Sequence, residues 1–202
     1  MGQLLRSEVP VQETWDLSSL YQDNDAFFSA LNELVENVTA FNSKYVNQLN
    51  EISTIESALR EQADLIVSII HLSTYAELLY STDTTDEQSQ KVAAQFSTTY
   101  GKVAGLLSFV DSEILALSEE TLNELQEKTN YPHFFKRLHD RKPYQLSTEV
   151  EQVLATLTPT LRSPFELYGT TKSLDIDFES FEHNGVTYPL DYATFENEYE
   201  DH

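Results

Sequence analysis

The sequence predicts a mainly α fold: a long antiparallel helical hairpin, additional packed helices and a small C-terminal β-hairpin. Three observations predict it. First, apolar residues recur at three- and four-residue steps through residues 54–117, first as Ile55, Leu59, Ile66, Ile69, Ile70, Leu72, Ala76 and Leu79, then as Val92, Phe96, Tyr100, Val103, Leu107 and Val110. That spacing lines side chains along one face of a helix. Second, no proline interrupts either arm, and a polar turn, Ser81-Thr82-Asp83-Thr84-Thr85, separates them, the pattern of two helices folded back on each other. Third, Asn184-Gly185 stands between Phe181-Glu182-His183 and Val186-Thr187-Tyr188, a strong signal for a tight β-hairpin. With only five Gly and six Pro, a turn-rich all-β fold is disfavoured.

Taken in order, residues 1–14 read as extended, with Pro10 blocking an early helix. Trp15, the only tryptophan, precedes Leu17, Leu20 and Tyr21, and is expected to pin a short turn to the core. Asp23, Asn24 and Asp25 offer helix N-caps. The helix they start carries Phe28, Leu31, Leu34, Val35, Val38 and Phe41 on one face and ends near Ser43 to Tyr45. Ser53 or Thr54 is expected to cap the first hairpin arm, and Thr84 or Thr85 the second. The run from Leu65 to Leu72 is the most apolar stretch. It is far shorter than the ~20 residues that cross a bilayer, and is expected to be a buried helix face. Gly101 and Gly105 inside the second arm each cost about 1 kcal/mol relative to Ala, which predicts a closely crossing helix at that point.

A short helix follows from Ser118 through Leu122 and Leu125, and another from Pro132 through Phe134, Phe135 and Leu138, with Pro132 at a first-turn position. Ser147, Thr148 and Glu149 start a further helix with Val150, Val153, Leu154 and Leu157 on its apolar face; Thr148 and Glu151 fit a capping box. Ser163-Pro164 is expected to open a separate short helix closing near Gly169. Beyond Lys172, Leu174, Ile176 and Phe178 alternate with acidic residues as a strand would. The last segment, from Asp191, begins like a helix.

Composition narrows the function classes. Twelve Lys and Arg stand against 34 Asp and Glu, a formal charge of −22. Such a chain repels a phosphate backbone, so a nucleic-acid partner is disfavoured. Cysteine is absent, which excludes disulfides, thiolate metal sites and a cysteine nucleophile and suits a cytoplasmic bacterial protein. No signal-peptide core follows Met1, and no membrane partner is expected.

Chemistry-bearing motifs are sparse. The five histidines, His71, His133, His139, His183 and His202, include no H-E-x-x-H pair, the arrangement in which two His bind zinc and the Glu activates water. No G-x-S-x-G, phosphate-binding glycine loop or dinucleotide fingerprint occurs. Asp83, Asp86 and Glu87 bunch at the hairpin turn, but no glycine allows the sharp bend of a Ca²⁺ loop. One basic cluster, Lys136, Arg137, His139, Arg141 and Lys142, breaks the acidic background. It is expected to salt-bridge to acidic helices, the functional alternative being contact with a peptide carboxylate or an acidic partner. Catalytic, cofactor-binding and metal residues are therefore all expected to be none.

Several stretches taken together resemble the N-terminal region of oligoendopeptidase F. They are Arg6-Ser7-Glu8-Val9-Pro10 with Trp15-Asp16-Leu17; Tyr75-Ala76-Glu77-Leu78 leading to Asp83-Thr84-Thr85-Asp86; and Leu107-Ser108-Phe109-Val110 leading to Glu113-Ile114-Leu115-Ala116-Leu117. Leu146-Ser147 with Glu149, Glu151, Leu154 and Ala155, then Leu174-Asp175-Ile176-Asp177-Phe178 and the Asn184-Gly185 turn, continue the likeness in the same order. The resemblance implies a zinc metallopeptidase of the thimet-oligopeptidase type, whose two largely helical halves enclose a channel that admits short peptides. It implies a helical region at 1–112, a family N-terminal-type subdomain at 113–190, and the start of a catalytic domain at 191–202. The family's H-E-x-x-H is absent here, so no catalytic or metal residue carries over. Zinc, the missing catalytic domain of the same chain and the oligopeptide substrate are what the resemblance implies for a full-length parent. The alternative function is a free-standing acidic helical protein-interaction module.

Overall fold

The computed structural model describes residues 8–144, 146, 148–172, 176, 178–190, 195 and 199. The backbone divides into two compact units, Gln12–Gln145 and Met1–Val11 together with Leu146–His202. Among the described residues the fold is mainly α, with one two-stranded antiparallel sheet, as the sequence predicts.

Two 3-10 turns, Val11–Glu13 and Leu17–Ser19, lead into helix α1, Asn24–Tyr45. Asp23 caps α1, its Oδ1 accepting the Ala26 N–H at 2.9 Å. The buried residues Phe27, Leu31, Leu34, Val38, Phe41 and Tyr45 recur every three or four positions, so one stripe of α1 faces the core throughout. Asn47, at φ 60, ends the helix in the left-handed conformation that asparagine tolerates. Its N–H donates to Glu113 Oε1 at 2.6 Å. The expected tryptophan pin is corrected: Trp15 is 73% exposed. The Asp16 carboxylate sets the turn by accepting the Ser18 N–H at 2.9 Å, and Leu17, Leu20 and Tyr21 are the residues that face inward. Tyr21 meets Phe27 and Tyr75 edge-on at 5.8 and 5.5 Å.

Helices α2, Ile52–Thr82, and α3, Glu87–Leu107, form the expected hairpin, and α1 packs against both. Their caps differ from expectation. Ser53 and Thr54 already lie inside α2, which starts after an extended Glu51 that makes no side-chain cap. At the turn, Asp86 caps α3 by accepting the N–H and hydroxyl of Ser89 at 2.7 and 2.8 Å. Asp83 accepts the N–H and hydroxyl of Thr85 at 2.9 and 2.7 Å. A carboxylate competes better than a threonine hydroxyl for amides at the positive end of a helix.

The second arm is not continuous to residue 117. It breaks at Ser108, and α4, Phe109–Leu115, starts beyond. The Ser108 hydroxyl donates to the Gly105 carbonyl at 2.8 Å, the local back-bonding that weakens a helix interior. The closely crossing helix expected at Gly101 and Gly105 is likewise corrected, since nothing lies within 4 Å of where their Cβ atoms would stand. Helix α5, Glu119–Lys128, is capped by Ser118, and α6, Pro132–Arg141, has its proline in the first turn as predicted. A 3-10 turn, Lys142–Tyr144, follows.

Two apolar clusters hold Gln12–Gln145 together. One gathers Phe27, Leu31, Val38, Leu72, Tyr75, Val92 and Val103 from α1, α2 and α3. The other joins Phe41, Tyr45, Ile55 and Leu59 to Val110, Ile114, Leu122, Leu125, Phe135 and Leu138. Each such fully buried large side chain contributes about 1.5–3 kcal/mol.

In the second unit, helix α7 runs unbroken over Thr148–Thr170, where two helices were expected. Pro164 has no N–H to offer the carbonyl four residues back. That carbonyl, Thr160 O, instead accepts the Ser163 hydroxyl at 2.9 Å, so the helix passes its proline without an orphaned acceptor there. The side chains of Thr148 and Glu151, the expected capping box, lie outside the described residues. Strands β1, Phe178–His183, and β2, Val186–Leu190, pair in the register Phe181 to Tyr188 and His183 to Val186. Asn184 at φ 52 and Gly185 at φ 77 make the turn, the left-handed pair that a two-residue hairpin requires. Tyr199 packs edge-on against Phe181 and Tyr188 and donates its hydroxyl to the Pro189 carbonyl at 3.0 Å. Of the expected strand at Leu174, Ile176 and Phe178, only Phe178 is in β1; Leu174 lies outside the described residues, and the Ile176 N–H donates to Thr171 O at 3.1 Å. The expected helical start after Asp191 also lies outside them, apart from Phe195 and Tyr199.

Candidate functional site

An open apolar groove between α2 and α3 is the feature of Gln12–Gln145 best suited to binding. It encloses about 710 Å³. Gln62, Ile66, Ile69, Ile70 and Ser73 of α2 form one wall; Phe96, Tyr100, Ala104 and Leu107 of α3 form the other, with Ser108 and Asp111 at one end. Phe96 and Tyr100, one helical turn apart, stack at 5.8 Å. Ile66, Ile70 and Tyr100 are 43%, 52% and 48% exposed.

The groove corrects the expectation that Leu65 to Leu72 is a buried face. Leu72 is buried and Leu65 and Ile69 are half-buried, but Ile66, Val67 and Ile70 are exposed. Apolar residues here occupy adjacent positions as well as every third or fourth. One packed face needs a stripe only ~100° wide, so the excess had to face outward. That width was the signal available in the sequence. By length and composition alone, α2 is also apolar enough to cross a membrane.

Charge is sparse along the groove, where Asp111 is the charged lining residue. On α2 no Asp, Glu, Lys or Arg occurs between Asp64 and Glu77, and on α3 and α4 only Lys102 occurs between Lys91 and Asp111. Asp111 itself pairs with Arg141 at 3.6 Å. The groove thus offers apolar contact and shape, without an acid, base or nucleophile activated by a neighbour.

Within the basic cluster, His139, Arg141 and Lys142 reach carboxylates on α4 and α5 as expected, while Lys136 pairs within α6. Lys136 pairs with Asp140 at 3.0 Å, and Arg141 with Asp111. His139 Nε2 lies 2.6 Å from Glu119 Oε2, and Lys142 Nζ lies 3.3 Å from Glu119 Oε1. Lys142 also donates to Leu117 O at 2.7 Å. The hydrogen bonds from His139 and then Lys142 hold the Glu119 carboxyl below its ordinary value of 4.5. The group ties α4 and the segment after it to the start of α5 and the end of α6. His71 and His133 are exposed on α2 and α6, and Asp83 and Asp86 are engaged in the turn. Among the described residues no three His, Asp or Glu converge so as to hold a metal ion. The zinc that the resemblance implies finds no fitting ligand set there, and no chemical step follows through it. In the second unit a smaller cup of about 510 Å³ is lined by Pro164, Leu167, Tyr168, Thr171, Lys172 and Ile176.

Comparison with known proteins gives this architecture a context. Residues 113–178 match the family described as Oligopeptidase F. Oligoendopeptidase F, plasmid, of Lactococcus lactis subsp. cremoris is 26% identical over 178 residues, covering 85% of this chain and 29% of that protein. Oligopeptidase PepF of Bacillus subtilis is 26% identical over 182 residues, covering 87% of this chain and 27% of that protein. The crystal structure of oligoendopeptidase-F from Enterococcus faecium shares the fold, with a TM-score of 0.68 at 21% identity over 85% of this chain and 34% of that one. This chain thus spans less than a third of the length of the curated relatives it matches. It is similar, in sequence over most of its length and in fold, to the N-terminal region of oligoendopeptidase F.

Proposed function

We propose that this chain is the non-catalytic N-terminal part of a zinc metalloendopeptidase that hydrolyses oligopeptides in the bacterial cytoplasm. Its helices wall the substrate channel and limit what enters. The zinc ligands and the water-activating glutamate reside on the polypeptide that completes the parent. Within the chain, 1–112 is a helical region built on the long hairpin, 113–190 an N-terminal-type subdomain of the family, and 191–202 the beginning of the catalytic domain. The observation that carries this reading is the 26% identity to the Lactococcus oligoendopeptidase F over 85% of this chain and to the Bacillus oligopeptidase PepF over 87% of it. That the sequence holds no H-E-x-x-H pair supports placing the zinc chemistry on another part of the parent.

The test is metal analysis and a quenched-fluorescence peptide assay on the purified chain. The expected result is no stoichiometric zinc and no turnover; tight zinc or peptide cleavage would overturn the proposal. Reading the coding sequence past His202 decides between this and the free-standing interaction module. An in-frame H-E-x-x-H supports the peptidase, and a stop codon the module.

A further inference from the structure

The groove between α2 and α3 exposes apolar side chains that a monomeric surface ordinarily covers. We propose that it seats an uncharged, apolar-faced helix supplied by the polypeptide that completes the peptidase, an inference that rests on the reading above.

Shape favours a helix. Two antiparallel helices leave a ridged trough into which a third packs at about 8–10 Å between axes. The α2 wall runs from Gln62 to Ser73, about 16 Å at the α-helical rise, or three turns. Val67, 51% exposed, lies outside the lining and widens the apolar face beyond the trough itself.

Charge selects the partner. The face is free of charge between Asp64 and Glu77 while the chain as a whole has a formal charge of −22. A second copy would bring another −22 close by, a repulsion that an uncharged helix from the rest of the parent avoids. Length points the same way. Over 70% of the length of these two curated relatives lies outside the share this chain matches, which is 29% and 27% of it. A parent of that size has the surface to cover this face.

The experiment titrates the purified chain against a labelled, stapled helical peptide of about 14 residues with an Ala/Leu face, read by fluorescence anisotropy. A peptide of the same composition broken by a central proline is the non-helical control. The expected result is saturable binding of the helical peptide alone, weakened at least about ten-fold, or 1.4 kcal/mol, by Ile70→Glu and by Tyr100→Glu. Both residues are half exposed, and circular dichroism verifies that the variants keep their helices. Failure of the helical peptide to bind, or binding unaffected by either substitution, would overturn the proposal. Equal binding of the proline peptide would make the groove a substrate trough, and would overturn it as well. So would sedimentation showing a dimer of the wild-type chain that Ile70→Glu separates. Zinc content and turnover judge the peptidase reading independently, so the two failures are distinguishable.

Discussion

Gly101 and Gly105 stand in α3 with open space where a Cβ would go. Their backbone is not in the left-handed region, so the cost of glycine in a helix is unrelieved within this chain. Gly101→Ala is expected to raise stability by about 1 kcal/mol, measured as a higher urea midpoint with an unchanged slope. Single residues were also where the sequence misled. Spacing placed Leu31, Leu34, Val38, Phe41, Val92 and Val103 correctly, because a helix buried on one side leaves a periodic trace, but it chose Phe28 where Phe27 is the buried ring and put Tyr100 in a packed stripe although it is 48% exposed. It could not tell that Trp15 faces solvent while Tyr21 turns inward, since both sit beside the same short turn and only packing chooses between them. The groove was hidden for a related reason: Ile66 and Ile70 look like core until the number of apolar residues is weighed against the one face α2 has to cover.

Among the elements, α5 and α6 are joined by the pairing of Glu119 with His139 and Lys142. The Glu119 carboxyl is held below 4.5 in the folded chain, chiefly by its bond to His139. A carboxyl whose pKa is depressed by folding stabilises the fold at pH above its unfolded value, and that contribution disappears as pH falls through the folded value. The melting temperature of the wild type is therefore expected to exceed that of Glu119→Gln at neutral pH, with the gap closing as pH drops below 4.5; thermal melts across that range test it. These two helices were legible from Ser118, Pro132 and the apolar steps between. The ion pairs between them were legible only as a class, because sequence supplies the charges and the fold supplies the partners. Helix α7 shows the opposite limit. Pro164 signals a break, and the hydroxyl of Ser163, which lets the helix continue, gives no sequence signal distinguishable from an N-cap.

For the molecule as a whole, 34 acidic and 12 basic side chains make self-repulsion a standing cost of compactness. Added salt shortens the reach of that repulsion, to about 10 Å at 0.1 M. The melting temperature is expected to rise with sodium chloride, most steeply at low concentration; calorimetry in a salt series checks this, and a flat or falling curve would show that local ion pairs dominate. The mainly α class was readable because apolar periodicity survives any charge balance. The occupant proposed for the groove was not, because an apolar helix face does not by itself specify what covers it. Helix α2 meets α1 before it and α3 after it, and α5 meets α6 directly. Contacts between neighbours in sequence close short loops and form quickly, and domains at the start of a chain fold while synthesis continues. The α1–α3 assembly can thus be complete on the ribosome before α7 has emerged.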